Sequence, residues 1–235
     1  MEGFKPIQQR FVVFLDIMGF KDRVARNTPE NLYLELTEFN KDITNILNSS
    51  KKVNTQHLPK QIGESDTALL SPAQYESKIT LAQFSDSIVL FSKDNSKECL
   101  LEIASVAKQI MASAISREKP IPLKGALAEG KVTCDMSKQL FFGQALIDAY
   151  LLEENVQYYG IVVHHTAEQS VINFGKDLFK NVSVPLKSGK ISHYELVWYK
   201  DNVNDIKSGL DRIRLSVSDS PRKYVDNTNN IIATS

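Results

Sequence analysis

Phe11-Val12-Val13-Phe14-Leu15-Asp16-Ile17-Met18-Gly19-Phe20 sets one carboxylate at the end of a run of five apolar residues and follows it with a glycine turn. An unbroken apolar run of this length reads as a strand covered on both faces, so a charge at its end requires solvent, a partner or a cation. A second acid is placed in the same way. Asp86 lies in Phe84-Ser85-Asp86-Ser87, between the strand-like runs 79–84 and 88–91, a spacing that fits a tight hairpin with Asp86 at its bend. Two acids at strand ends suggest a metal site. The amides of the turn around Gly19, beside a helix N-terminus, suit phosphate groups that a divalent ion on the acids would bridge.

Working outward, Thr28-Pro29-Glu30 offers an N-cap, a proline at the first helical position and an acid at the positive helix end. Leu32, Leu36, Phe39, Ile43 and Ile46 then form one apolar stripe, predicting a helix to about Leu47 that covers a sheet. Residues 48–77 are polar, with no sustained period, and read as an irregular insertion. Asn95-Ser96-Lys97-Glu98 resembles a capping box, and Leu100, Ile103, Ala107, Ile110, Met111 and Ile115 form the stripe of a second helix behind it. The stretches 123–130 and 139–142 read as strands, and Gly143 opens a helix through Ala145, Leu146, Ala149 and Leu152. The expected organisation is one domain over residues 1–215 and a flexible polar tail over 216–235. Strand, helix, hairpin, helix, strand, strand, helix is the order of a ferredoxin-like α+β fold, an antiparallel sheet covered by helices. With the first strand and the hairpin in the middle of that sheet, Asp16 and Asp86 converge at one end.

The chain has 235 residues and equal numbers of basic and acidic side chains, 28 each, so no global field recruits nucleic acid or an anionic membrane. Cys99 and Cys134 lack metal-ligand spacing and are too few for a disulfide scaffold. No signal-like segment or stretch of the ~20 apolar residues needed to span a bilayer is expected, which predicts a soluble, cytosolic protein with reduced thiols. His164-His165 with Glu168 fits a helix start better than a metal site, Tyr158-Tyr159 and Phe141-Phe142 fit core better than base stacking, and Tyr150 fits packing. Lys124 stands either as an ion-pair partner or as a phosphate contact.

The segments Phe14-Leu15-Asp16-Ile17-Met18-Gly19-Phe20, Phe84-Ser85-Asp86-Ser87-Ile88-Val89-Leu90-Phe91 and Lys124-Gly125-Ala126-Leu127-Ala128-Glu129-Gly130 resemble, in order and spacing, the class III nucleotidyl cyclases. The closing segment, Phe142-Gly143-Gln144-Ala145-Leu146-Ile147-Asp148-Ala149-Tyr150-Leu151-Leu152-Glu153, is most similar to the Pycsar pyrimidine cyclases of bacterial anti-phage defence. The resemblance spans roughly residues 11–154. It implies a homodimer with interfacial sites and two Mn²⁺ or Mg²⁺ ions per site on Asp16, Asp86 and the Ile17 carbonyl. It further implies a triphosphate cradle at Ile17, Met18, Gly19 and Phe20. The implied reaction turns a nucleoside triphosphate into a 3′,5′-cyclic monophosphate and pyrophosphate, and the product acts on a separately encoded effector.

Departures from the adenylate cyclase pattern are equally informative. The adenine-reading lysine and aspartate positions hold Ala82 and Leu140, and the transition-state asparagine and arginine positions hold Ile147 and Leu151. Lys124, Arg117 and Arg23 are the candidates to replace the missing cation. The expected substrate is a pyrimidine triphosphate, UTP ahead of CTP. The alternatives are a catalytically silent dimerisation or ligand-sensing module, and a purine cyclase; the Gly-Gly-acid-acid-Phe signature of diguanylate cyclases is absent from the chain.

Overall fold

The computed structural model describes residues 4–53 and 78–234. In chain order the elements are β1 (Ile7–Ile17), α1 (Phe20–Arg26), α2 (Pro29–Val53), β2 (Ile79–Phe84), β3 (Ser87–Ser92), α3 (Lys97–Ser116), β4 (Leu123–Asp135), β5 (Leu140–Gly143), α4 (Gln144–Asn155), β6 (Ile161–Val163), α5 (His165–Phe174), β7 (Phe179–Leu186), β8 (Gly189–Leu196), α6 (Val203–Ser216) and α7 (Ser220–Ala233). The strands form one sheet in the order β2-β3-β1-β4-β6-β8-β7, with β5 paired to β4. This is the expected α+β architecture with two differences. The β4–β6 pair is parallel, because α4 carries the chain back across the sheet before β6 begins. Of the hairpin strands, β3 is internal beside β1, whereas β2 forms the sheet edge.

The apolar run at the end of β1 is buried on both faces. Phe11, Val13, Leu15 and Ile17 enter the main core with α3, while Val12 and Phe14 belong to a smaller cluster with Ala128, Val132, Ala145 and Ala149 beneath α4. Strand alternation therefore puts Asp16 on the α4 face. The Ser96 hydroxyl caps α3 by accepting from the Cys99 amide at 3.4 Å. Contrary to the expectation that no such stretch exists, α3 has the length and hydropathy of a membrane span, 20 residues at 1.3. Its apolar residues are packed in the core, which accounts for that composition.

Helix α2 runs past Leu47 to Val53, so the first residues of the expected insertion are helical; 54–77 lie outside the described residues. The expected flexible tail is corrected as well. In α7, Val225, Thr228 and Ile231 recur at helical spacing and are buried. Thr228 accepts from the Tyr159 amide at 2.9 Å and donates to the Tyr224 carbonyl at 2.7 Å, tying the helix to the body. Helix α6 lies so close to α3 that a Cβ on Gly209 would collide with the Ile115 carbonyl oxygen.

Glu195 of β8 is wholly buried and accepts from the hydroxyls of Tyr158 and Tyr199, each at 3.0 Å. Burial pushes its carboxyl from 4.5 up to about 7, against the opposing pull of the two tyrosine hydrogen bonds. The folded state thus holds this proton more tightly than the unfolded chain, so stability falls as pH rises from about 4.5 through about 7. The loss is roughly 3 kcal/mol. Denaturant midpoints measured across that range should show this fall, and Glu195→Gln should flatten it.

Candidate active site

Asp16 is the penultimate residue of β1, where its register partners are Ser87 of β3 and Lys124 of β4. The two-residue turn Ser85-Asp86 folds against this strand end. The Ile17 amide donates to the Asp86 carbonyl at 2.9 Å, and Ser85 takes a φ of +56° at the bend. The two predicted acids are therefore neighbours. Asp16 is partly buried, and its carboxyl is raised first by burial and next by the charge of Asp86, with Lys124 pulling the other way. Two carboxylates held together at a strand end form a hard-oxygen donor set of the kind Mg²⁺ or Mn²⁺ takes. Among the described residues no group of three or more His, Cys, Asp or Glu side chains is arranged to hold a metal.

Of the two readings of Lys124, the structure shows the ion pair. Its side chain is buried, with Nζ 2.8 Å from Glu153 Oε1 and donating to the Glu153 carbonyl at 3.0 Å. This ion pair pins the end of α4 to the strand that faces Asp16, so the lysine charge is shared between two acids. Glu153 was missed in sequence because nothing local marks a glutamate 29 positions away as its partner. Tyr150 packs as expected, edge-on to Phe14 with ring centroids 5.5 Å apart.

Gly19 adopts φ +72°, ψ +20° and opens α1, a conformation glycine takes without steric cost. The Met18 amide donates to the Pro122 carbonyl at 2.9 Å and the Ile17 amide to the Asp86 carbonyl, so these two amides of the expected cradle are already engaged. The amides of Gly19 and Phe20 remain, at the helix start where intrahelical acceptors are lacking. The other two cation candidates are engaged. Arg23 binds Glu35 and the Pro120 carbonyl, and Arg117 binds Asp42 and, at 3.3 Å, Glu38.

The side chain of Ala82 packs against the smaller cluster and offers no polar atom to a base, while Leu140 is half-exposed on β5. Ile147 and Leu151 stand one turn apart on α4, each about half exposed at 49% and 50%. His164 caps α5, its ring accepting from the Thr166 amide at 3.5 Å, so the histidine pair begins a helix as expected. Tyr158 and Tyr159 are core, whereas Phe142 is exposed. Both cysteines are free and buried, and burial pushes the Cys134 thiol up to about 11.

No protein-family model and no curated protein matches the chain. Solved structures do match it. The guanylate cyclase domain of RhGC from Catenaria anguillulae, in complex with GTP, aligns with TM-score 0.55 at 13% identity over 81% of this chain and 96% of that one. The catalytic core of a rhodopsin-guanylyl cyclase with converted specificity, in complex with ATPαS, gives 0.58 and 13% over 82% and 97%. An adenylate/guanylate cyclase/hydrolase from Silicibacter pomeroyi gives 0.52 and 13% over 81% and 97%. The chain has the fold of adenylyl and guanylyl cyclase catalytic domains.

Proposed function

We propose that the chain is a nucleotidyl cyclase acting on a pyrimidine nucleoside triphosphate, UTP ahead of CTP. The observation that carries this reading is the meeting of Asp16 and Asp86 at the end of β1 on a cyclase fold, with the nearest cation drawn off by Glu153. Asp16, Asp86 and the Ile17 carbonyl would hold two divalent ions, Mn²⁺ or Mg²⁺. When bound, these ions lower the pKa of the ribose 3′-hydroxyl and offset charge on the phosphates. The amides of Gly19 and Phe20 orient the triphosphate. The 3′-oxygen then forms a bond to the α-phosphorus while the bond to the bridging oxygen breaks, releasing pyrophosphate and one proton. Placement in line is the main contribution of the chain, and no covalent intermediate is needed.

The working unit is a homodimer. Helix α4 covers β1 and β4, and on the same sheet face Phe84 of the edge strand is 85% exposed. Closed two-fold pairing is the commonest way to cover such a surface. Phe84→Glu should shift the protein from dimer to monomer in sedimentation velocity and lower turnover with it.

Pyrimidine preference rests on Ala82 and Leu140, which present neither donor nor acceptor to adenine. Each buried group left unpaired costs roughly 1–3 kcal/mol, or about ten- to a hundredfold in relative rate. Following the Pycsar resemblance, the cyclic product is a second messenger for a separate effector in anti-phage defence. A side-by-side assay of the four ribonucleoside triphosphates with Mn²⁺ tests the substrate. UTP or CTP should be cyclised fastest; faster turnover of ATP or GTP would replace the pyrimidine reading with a purine one.

A further inference from the structure

We propose that the cavity between α1, the 117–122 segment and the α6–α7 hairpin binds a polyphosphate group. Its volume of about 950 Å³ is within the range of small-molecule sites. Met18 and Gly19 form part of its wall, so it opens beside the turn that ends the Asp16 strand. Four cations from three separate parts of the chain line it: Arg23 and Arg26 on α1, Lys119 after α3, and Arg212 on α6. Arg23 is neutralised by Glu35. Arg212 is held by the carbonyls of Ser116 and Arg117 at 3.3 and 2.8 Å, neutral acceptors that fix the guanidinium without cancelling its charge. Arg26 and Lys119 make no ion pair among the described residues. Against these three uncompensated cations stand two exposed carboxylates, Asp22 and Glu118. The hydroxyls of Ser216, Ser218 and Ser220 add neutral donors to the same wall.

Cations that line one cavity from separate elements, two of them without an ion pair among the described residues, suit a ligand with several anionic oxygens. The polyphosphate has two sources, the tail of the substrate itself or a free polyphosphate. Only the first rests on the cyclase reading.

Calorimetric titration of the full chain with inorganic tripolyphosphate, in EDTA and at low salt, tests the site without turnover. Saturable binding is expected, at least tenfold weaker in Arg26→Gln/Lys119→Gln and tighter in Asp22→Asn/Glu118→Gln. These are surface changes, and circular dichroism melts confirm that each variant folds. Absence of saturable binding, or equal affinity in Arg26→Gln/Lys119→Gln, would overturn the proposal. A second titration adds Mn²⁺ and 3′-deoxyuridine triphosphate, which lacks the attacking hydroxyl. Displacement of tripolyphosphate assigns the cavity to the substrate tail, and simultaneous binding assigns it to a free polyphosphate; both outcomes support the site. Binding without turnover of any nucleotide removes the cyclase reading and keeps the cavity, whereas turnover without binding does the reverse.

Discussion

Replacing Asp16 or Asp86 by alanine should lower turnover at least about a thousandfold while leaving the fold intact. Each change removes one of the two carboxylates proposed to hold the ions, and ion-derived stabilisation of the transition state is worth several kcal/mol, with about 4 kcal/mol equal to a thousandfold. The fold should persist because both side chains lie at the end of the sheet. Removing either acid also relieves the repulsion that raises the Asp16 carboxyl. Steady-state kinetics with Mn²⁺, beside circular dichroism of the same preparations, is the check. A folded variant with near wild-type activity would remove the two-ion assignment.

Lys124→Met should be the most damaging substitution for stability. It strands Glu153, 3% exposed, without its partner at 2.8 Å. Breaking a buried pair from one side costs about 3–5 kcal/mol, which for a chain of this size lowers the melting temperature by about 10 °C. The double variant Lys124→Met/Glu153→Leu should recover most of that loss, because no uncompensated charge then remains under α4. Calorimetric melts of both variants decide between an ion-pair anchor and a lysine that serves the substrate. A small effect of Lys124→Met on stability, with a large rise in KM, would favour the latter.

The parts of this molecule that the chain announces locally are the parts that sequence reading recovered. The apolar run before Asp16 is buried on both faces, the Ser85-Asp86 bend forms, Ser96 caps α3, and the stripes of α2, α3 and α4 are helices. Asp16 and Asp86 come together because the turn that carries one is bonded to the strand that carries the other. What stayed hidden depends on distant partners. Lys124 stood as an ion-pair partner or a phosphate contact, and its partner came into view only when α4 placed Glu153 beside it. Helix α7 looked loose because its three buried positions are scattered among asparagines and charged residues; only docking on Tyr159 and Gln157 gives them a surface to cover. The parallel pairing of β6, three residues long, has no local signature at all. The cavity by Gly19 was out of reach for the same reason, since its walls come from α1, the 117–122 segment and α6–α7 together.

The most direct test of the central claim is the product made from UTP and CTP with Mn²⁺, followed by phosphorus NMR and a pyrophosphate assay. A 3′,5′-cyclic monophosphate and one pyrophosphate per turnover are expected, with no reaction from the 3′-deoxynucleotide. Failure to consume any of the four ribonucleoside triphosphates, or pyrophosphate release from the 3′-deoxynucleotide, would contradict the cyclase reading.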